Sequence, residues 1–104
     1  MFGTATRTDT LLAVHLLGET HAAEIARVLG RAPSRIQAAI ESLELAGVLA
    51  GVTEGKTRRV RLNPRFHAYK ELSALLAAMG AADLGLQKRL ATERRRPRRT
   101  GKPI

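Results

Sequence analysis

Three glycines, Gly18, Gly30 and Gly47, cut the first half of the chain into short segments whose apolar residues recur at helical spacing. Helices this short are marginal on their own, so they can persist only as a cluster in which each buries one face. In the first segment, Thr8 to Leu17, Leu11, Leu12, Val14, Leu16 and Leu17 make a mostly buried helix, with Thr8 as its cap and Gly18 as its stop. Thr20 can cap a second helix with Ala22, Ile25, Ala26 and Leu29 on one face. Glu24 then lies in the first turn, where the helix dipole favours an acid, and Gly30 closes the segment. Ser34, with Gln37 three residues on, reads as a capping box. It opens a third helix over 34–46 that turns Ile36, Ala39, Ile40 and Leu43 inward and stops at Gly47.

Beyond Gly47 the apolar period changes from helical to alternating. Val48 to Thr53 and Thr57 to Leu62 are strand candidates joined at Glu54-Gly55-Lys56, a β-hairpin over 48–62. Val60 and Leu62 share one face of the second strand, and Arg59 and Arg61 share the other. Asn63-Pro64 ends the hairpin and starts a fourth helix, 65–79, with Phe66, Tyr69, Leu72, Leu75, Leu76 and Met79 as its stripe. Gly80 interrupts this helix, and 83–93 resumes with Leu84, Leu86 and Leu90. The closing "RRRPRRTGKPI" cannot bury a core and is predicted to be disordered. The expected organisation is therefore mainly α with a small β-hairpin: a domain over 1–80, a helical extension over 81–93 and a basic tail over 94–104.

The triplet Gly55-Lys56-Thr57 ends like a nucleotide-binding P-loop, but the position five before Gly55 is Ala50, and Gly51 is one residue too close. A strand follows where a P-loop requires a helix N-terminus. The triplet belongs to the turn of the hairpin.

With 104 residues the chain has room for one modest core. It has no cysteine, which excludes disulfides, thiol catalysis and thiolate metal sites. His15, His21 and His67 do not pair at helical spacing, and no nucleophile, histidine and acid arrangement or carboxylate pair points to catalysis. The expectation is a non-enzyme without metal or cofactor. No apolar run approaches the roughly 18 residues of a membrane span, and the N-terminus lacks a signal-peptide layout. A cytoplasmic, nucleoid-associated location is expected.

The formal charge of +9 is unevenly spread. From Lys88 onward eight Lys and Arg face Glu93 alone, leaving ten basic and eight acidic residues before it. Within the body, Lys56, Arg58, Arg59, Arg61 and Arg65 fall in ten positions that hold no acid. Such clusters favour a polyanionic partner through counterion release. Three aromatic residues are too few for base-stacking platforms.

The stretch "HAAEIARVLGRAPSRIQAAIESLELAGVL" followed by "GKTRRVRLNP" resembles the winged helix-turn-helix transcription regulators of the ArsR and MarR type, over roughly residues 8–78. The resemblance implies a three-helix core plus wing and C-terminal helix, and a homodimer formed through helix 65–79 and helix 8–17. It further implies binding to double-stranded DNA, with helix 34–46 in the major groove and wing 48–62 on the backbone or in the minor groove. On helix 34–46 the residues not needed by the core are Ser34, Arg35, Gln37, Ala38, Glu41 and Ser42. Arg35 and Gln37 are the expected base readers, because Arg forks onto guanine and Gln onto adenine. On the wing, Lys56, Arg58 and Arg59, with Arg61 beside them, are the expected phosphate or minor-groove contacts. Ala38 stands where such regulators often carry a long polar side chain, and Glu41 and Glu44 make the helix less basic, which shifts the expected affinity to the wing. Two rival readings are a protein-interaction module built on the same fold and a non-specific architectural DNA or RNA binder driven by the tail. The metal-sensing sites of ArsR-type proteins have no direct counterpart in a chain without cysteine.

Overall fold

The structure is a computed structural model that describes residues 2–95, with side chains from 5 to 93. In chain order it contains α1 (Phe2–Leu17), α2 (Ala22–Leu29), α3 (Pro33–Leu45), β1 (Leu49–Glu54), β2 (Thr57–Leu62), α4 (Tyr69–Ala82) and α5 (Leu84–Arg95). The chain is mainly helical with one small antiparallel sheet, as expected. Among the described residues no helix is long and apolar enough to cross a membrane.

The longest helix, α1, is the hub, packing against α2, α3, α4 and β2. It begins at Phe2, so Thr8 lies in mid-helix and does not cap it, contrary to the sequence expectation. The misreading has a physical source. Thr6 and Thr10 are buried one helical turn apart, so the core face of α1 continues through threonines whose methyl groups pack while their hydroxyls hide the apolar period. Thr10 Oγ1 is buried without a hydrogen-bond partner. Thr10→Val keeps the shape and removes the stranded hydroxyl, and should raise stability by about 1 kcal/mol. A denaturant midpoint unchanged or lowered at constant m would refute this.

The second and third helices also start differently from the sequence reading. His21 precedes α2 as its N-cap without a side-chain hydrogen bond, and Thr20 does not cap the helix. Its backbone instead forms an antiparallel bridge to Val60, with N···O distances of 3.0 and 2.7 Å. Its hydroxyl donates to Glu24 Oε1 at 2.5 Å. For α3, Ala32 is the N-cap and Pro33 the first helical residue, so the Ser34–Gln37 capping box does not form. Proline at that position loses no helical hydrogen bond and fixes φ in advance; Ser34 then lies too far inside the helix to cap it.

β1 and β2 pair in the register Leu49↔Leu62, Gly51↔Val60, Thr53↔Arg58 and Glu54↔Thr57. The two-residue turn Gly55-Lys56 between them has Gly55 at φ +60°, a conformation that side chains disfavour. Because Thr20 bridges the free side of Val60, the centre of β2 has backbone neighbours on both edges. Leu49, Val60 and Leu62 seal the sheet's inner face onto Leu12, Val14, Ile25, Ile36 and Ile40.

The fourth helix starts at Tyr69, several residues after the predicted 65. Asn63 captures the intervening chain: its Oδ1 accepts from Arg65 N at 3.0 Å, and its Nδ2 donates to Gly47 O at 2.9 Å. Local side-chain bonds of this kind compete with helix. Within α4, Leu76 is buried, Leu72 and Met79 pack on the core, and Leu75 is 56% exposed, so Leu75 leaves the predicted stripe. Gly80 does not break the helix. A Cβ there would come within 2.9 Å of Leu16 Cδ2, so the glycine permits the close crossing of α4 over α1. The break falls at Asp83, whose Oδ1 accepts Leu86 N at 2.9 Å to open α5.

α5 folds back along α2, burying Leu86 and Leu90 in the common core. Arg27 Nη2 donates to Glu93 Oε2 at 2.8 Å, which ties the two helices together. That hydrogen bond raises the guanidinium pKa further above its ordinary value, so Arg27 stays charged. Of the predicted basic tail, 94 and 95 are helical, and 96–104 lie outside the described residues.

Candidate nucleic-acid interface

α3 buries Ile36, Ala39, Ile40 and Leu43 and leaves its opposite face free. Successive residues turn by about 100° around a helix, so Ser34, Ala38, Glu41 and Leu45 form the outward apex. All four are exposed, Leu45 by 89%. Arg35 and Gln37, two residues apart, project about 200° from one another and bracket this apex on opposite flanks. Both are exposed, and neither forms an ion pair or side-chain hydrogen bond among the described residues. Ser42, on the Arg35 flank, is half-buried and accepts a long hydrogen bond from Arg7 Nη1 at 3.4 Å. This contact brings Arg7 of α1 beside α3. The sequence reading missed it because the two residues are 35 positions apart.

Glu44 lies on the Gln37 flank, facing the hairpin, and holds Arg58. Arg58 Nη2 is 2.6 Å from each of the two carboxylate oxygens, with the Glu44 side chain 17% exposed and that of Arg58 50%. The pair lies across Gly51, where a Cβ would fall within 2.6 Å of the guanidinium. The missing side chain is what lets the ion pair cross the strand. Gly51, noted in the sequence only for its wrong P-loop spacing, thus has a structural role.

The hairpin cations divide between its faces. Arg58 shares the inner face with Val60 and Leu62 and reaches α3. On the outer face Arg59 Nε is 3.2 Å from Glu54 Oε1, and Arg61 borders a groove between α1 and α4. Lys56 is exposed at the turn, and among the described residues neither it nor Arg61 forms an ion pair. Of the four expected contacts, two therefore carry an intramolecular carboxylate and two do not. Glu44 and Glu54 lower the positive field of the hairpin below what the residue count implies. At the far end of α3, Arg31 pairs with Asp9 and donates to Thr6 Oγ1 at 3.4 Å, so this arginine serves the fold.

The side chains brought together are thus Arg7, Arg35 and Ser42 on one flank of α3, and Gln37, Glu44 and Arg58 on the other, with Lys56 at the tip of the hairpin. Among the described residues no group of three or more His, Asp or Glu side chains could hold a metal ion. No protein-family model, curated protein or solved structure matches this chain.

Proposed function

We propose that the chain is a winged helix-turn-helix protein that binds double-stranded DNA as a homodimer and regulates transcription, with α3 entering the major groove and the β1–β2 hairpin serving as the wing. One observation carries the reading: the outer face of α3 is uncovered, bracketed by Arg35 and Gln37, and stands beside a hairpin with cations at its tip and on both faces. The element order and the Thr20–Val60 bridge, which gives the hairpin a third backbone neighbour, agree with such a fold. The outer face of α4, with exposed Ala74, Leu75, Ala77, Ala78 and Ala81, suits the dimer contact. The core face of helix 8–17 is already occupied by α3 and α4, so α4 is the better candidate for the mate.

Fluorescence anisotropy with random and selected duplexes across a salt series tests the reading. Binding should weaken linearly in log–log form, with a slope near −0.9 per phosphate contact, and a selected duplex should outcompete a random one. Glu44→Gln should tighten binding to every duplex roughly threefold, since it releases Arg58 and removes a carboxylate from beside the phosphates. Tighter binding confined to one sequence, or no change, would refute that role for Glu44.

The second reading is a protein-interaction module, favoured by Leu45 and Glu41 at the apex of α3. No duplex binding at low salt would favour it over the first. Truncation from Arg94 separates the architectural alternative, because a regulator keeps its sequence preference and a tail-driven binder loses most of its affinity.

A further inference from the structure

A helix lying in a major groove has a phosphate backbone along each of its flanks. The hairpin stands on the Gln37 flank of α3, and there Arg58 and Arg59 are held by Glu44 and Glu54. The Arg35 flank faces α1 instead, which packs against α3 and sends Arg7 to Ser42.

Arg7 is exposed, and its hydrogen bond to the Ser42 hydroxyl, at 3.4 Å, is longer than the usual value of about 2.9 Å. Ser42 lies about 70° round α3 from the outward apex, so the guanidinium stands at the border of the exposed face. A neutral hydroxyl does not offset its charge, and among the described residues neither Arg7 nor Arg35 forms an ion pair. Arg31, at the start of the same flank, is held by Asp9 and Thr6 and serves the fold. The α1 flank of α3 therefore carries two cations with undiminished charge, whereas the hairpin shares two of its arginines with acids.

We infer that Arg7 is a further phosphate anchor, contacting the duplex backbone along the α1 flank of α3 while the hairpin contacts the backbone on the other, so that α3 is gripped from both sides. The inference rests on the proposed duplex binding and assigns it a residue outside both α3 and the hairpin. To meet a phosphate Arg7 gives up one long hydrogen bond to a neutral group, whereas Arg58 must leave a carboxylate. Exchange of a hydroxyl for a charged acceptor strengthens the bond that the guanidinium makes.

Anisotropy titration of the full chain against one selected and one random duplex over a salt series tests it. The variants are Arg7→Gln, Arg7→Lys, Ser42→Ala and, as a control at a cation exposed on α5, Lys88→Gln. Arg7→Gln should weaken binding to both duplexes about fivefold near 0.1 M salt and flatten the log–log slope by about 0.9. Its thermal midpoint should be kept, because the side chain is exposed. Arg7→Lys should restore the slope, and Ser42→Ala and Lys88→Gln should retain it. An Arg7→Gln slope equal to the parent's would overturn the contact and leave duplex binding by α3 and the hairpin standing. An affinity loss at unchanged slope that Ser42→Ala reproduces would reduce Arg7 to a residue that positions α3. Equal flattening by Lys88→Gln would reduce the effect to general attraction between a basic protein and DNA. Failure of the parent chain to bind either duplex would remove the proposed function, and the contact with it.

Discussion

Replacing Lys56, Arg58 and Arg59 together with Ala is expected to lower affinity for every duplex by roughly 100-fold near 0.1 M salt, with random and selected sequences affected alike. Three cations lost from the backbone footprint should also flatten the log–log salt slope by about 2.7. The contributions are unequal. Arg58 and Arg59 must leave Glu44 and Glu54 to reach a phosphate, whereas Lys56 forms no ion pair among the described residues. The triple variant also leaves those two carboxylates uncompensated beside the DNA, which adds repulsion to the lost attraction. Gln37→Ala is the contrasting case: it should relax preference at one base pair by about 1–3 kcal/mol with little change in the salt slope. Anisotropy titrations at four or more salt concentrations measure both quantities. A triple variant with the parent's slope would remove the hairpin from the mechanism, whatever happens to the absolute affinity.

Ile36→Ala is expected to destabilise the fold by about 2–5 kcal/mol, a large share of the roughly 5–15 kcal/mol that holds a domain of this size. Ile36 is fully buried on the inner face of α3 and belongs to the cluster shared by α1, α2, the hairpin and α5. Truncation leaves a cavity where several elements meet, and no single element can move to fill it. The thermal midpoint should fall by about 10–30 °C. Leu45→Ala, nine residues later on the same helix and 89% exposed, should change stability by no more than about 0.5 kcal/mol. Chemical denaturation of the two variants side by side decides the matter. Comparable losses at both positions would mean that the inner and outer faces of α3 are wrongly assigned, and the proposed DNA surface with them.

The inward set Ile36, Ala39, Ile40 and Leu43 was legible in the sequence because helical periodicity is a local property carried by residue type. The hairpin was legible for the same reason, since Val60 and Leu62 alternate with Arg59 and Arg61 around a turn that needs Gly55. Helix starts were read less well. Thr8, Thr20 and Ser34 all have the chemistry of caps, and none forms the predicted cap. The chain treats these positions otherwise: Thr8 lies within an α1 that continues back through the buried Thr6 and Thr10, Thr20 bridges to β2, and Ser34 follows a helix start made by Pro33. Hydroxyl residues make local bonds in several conformations, so residue type alone leaves their role open.

At the candidate site the sequence showed which side chains are present, not which of them are engaged. It identified Arg35 and Gln37 as exposed, and it placed Lys56, Arg58, Arg59 and Arg61 on a hairpin, because local period sets which face a residue joins. It did not show that Glu44 holds Arg58 across Gly51, that Arg7 reaches Ser42, or that α5 returns to α2 through Arg27 and Glu93. Each of these relations joins residues distant in sequence. Their partners are selected by how helices cross and strands register in three dimensions, and no local pattern of side chains encodes that choice.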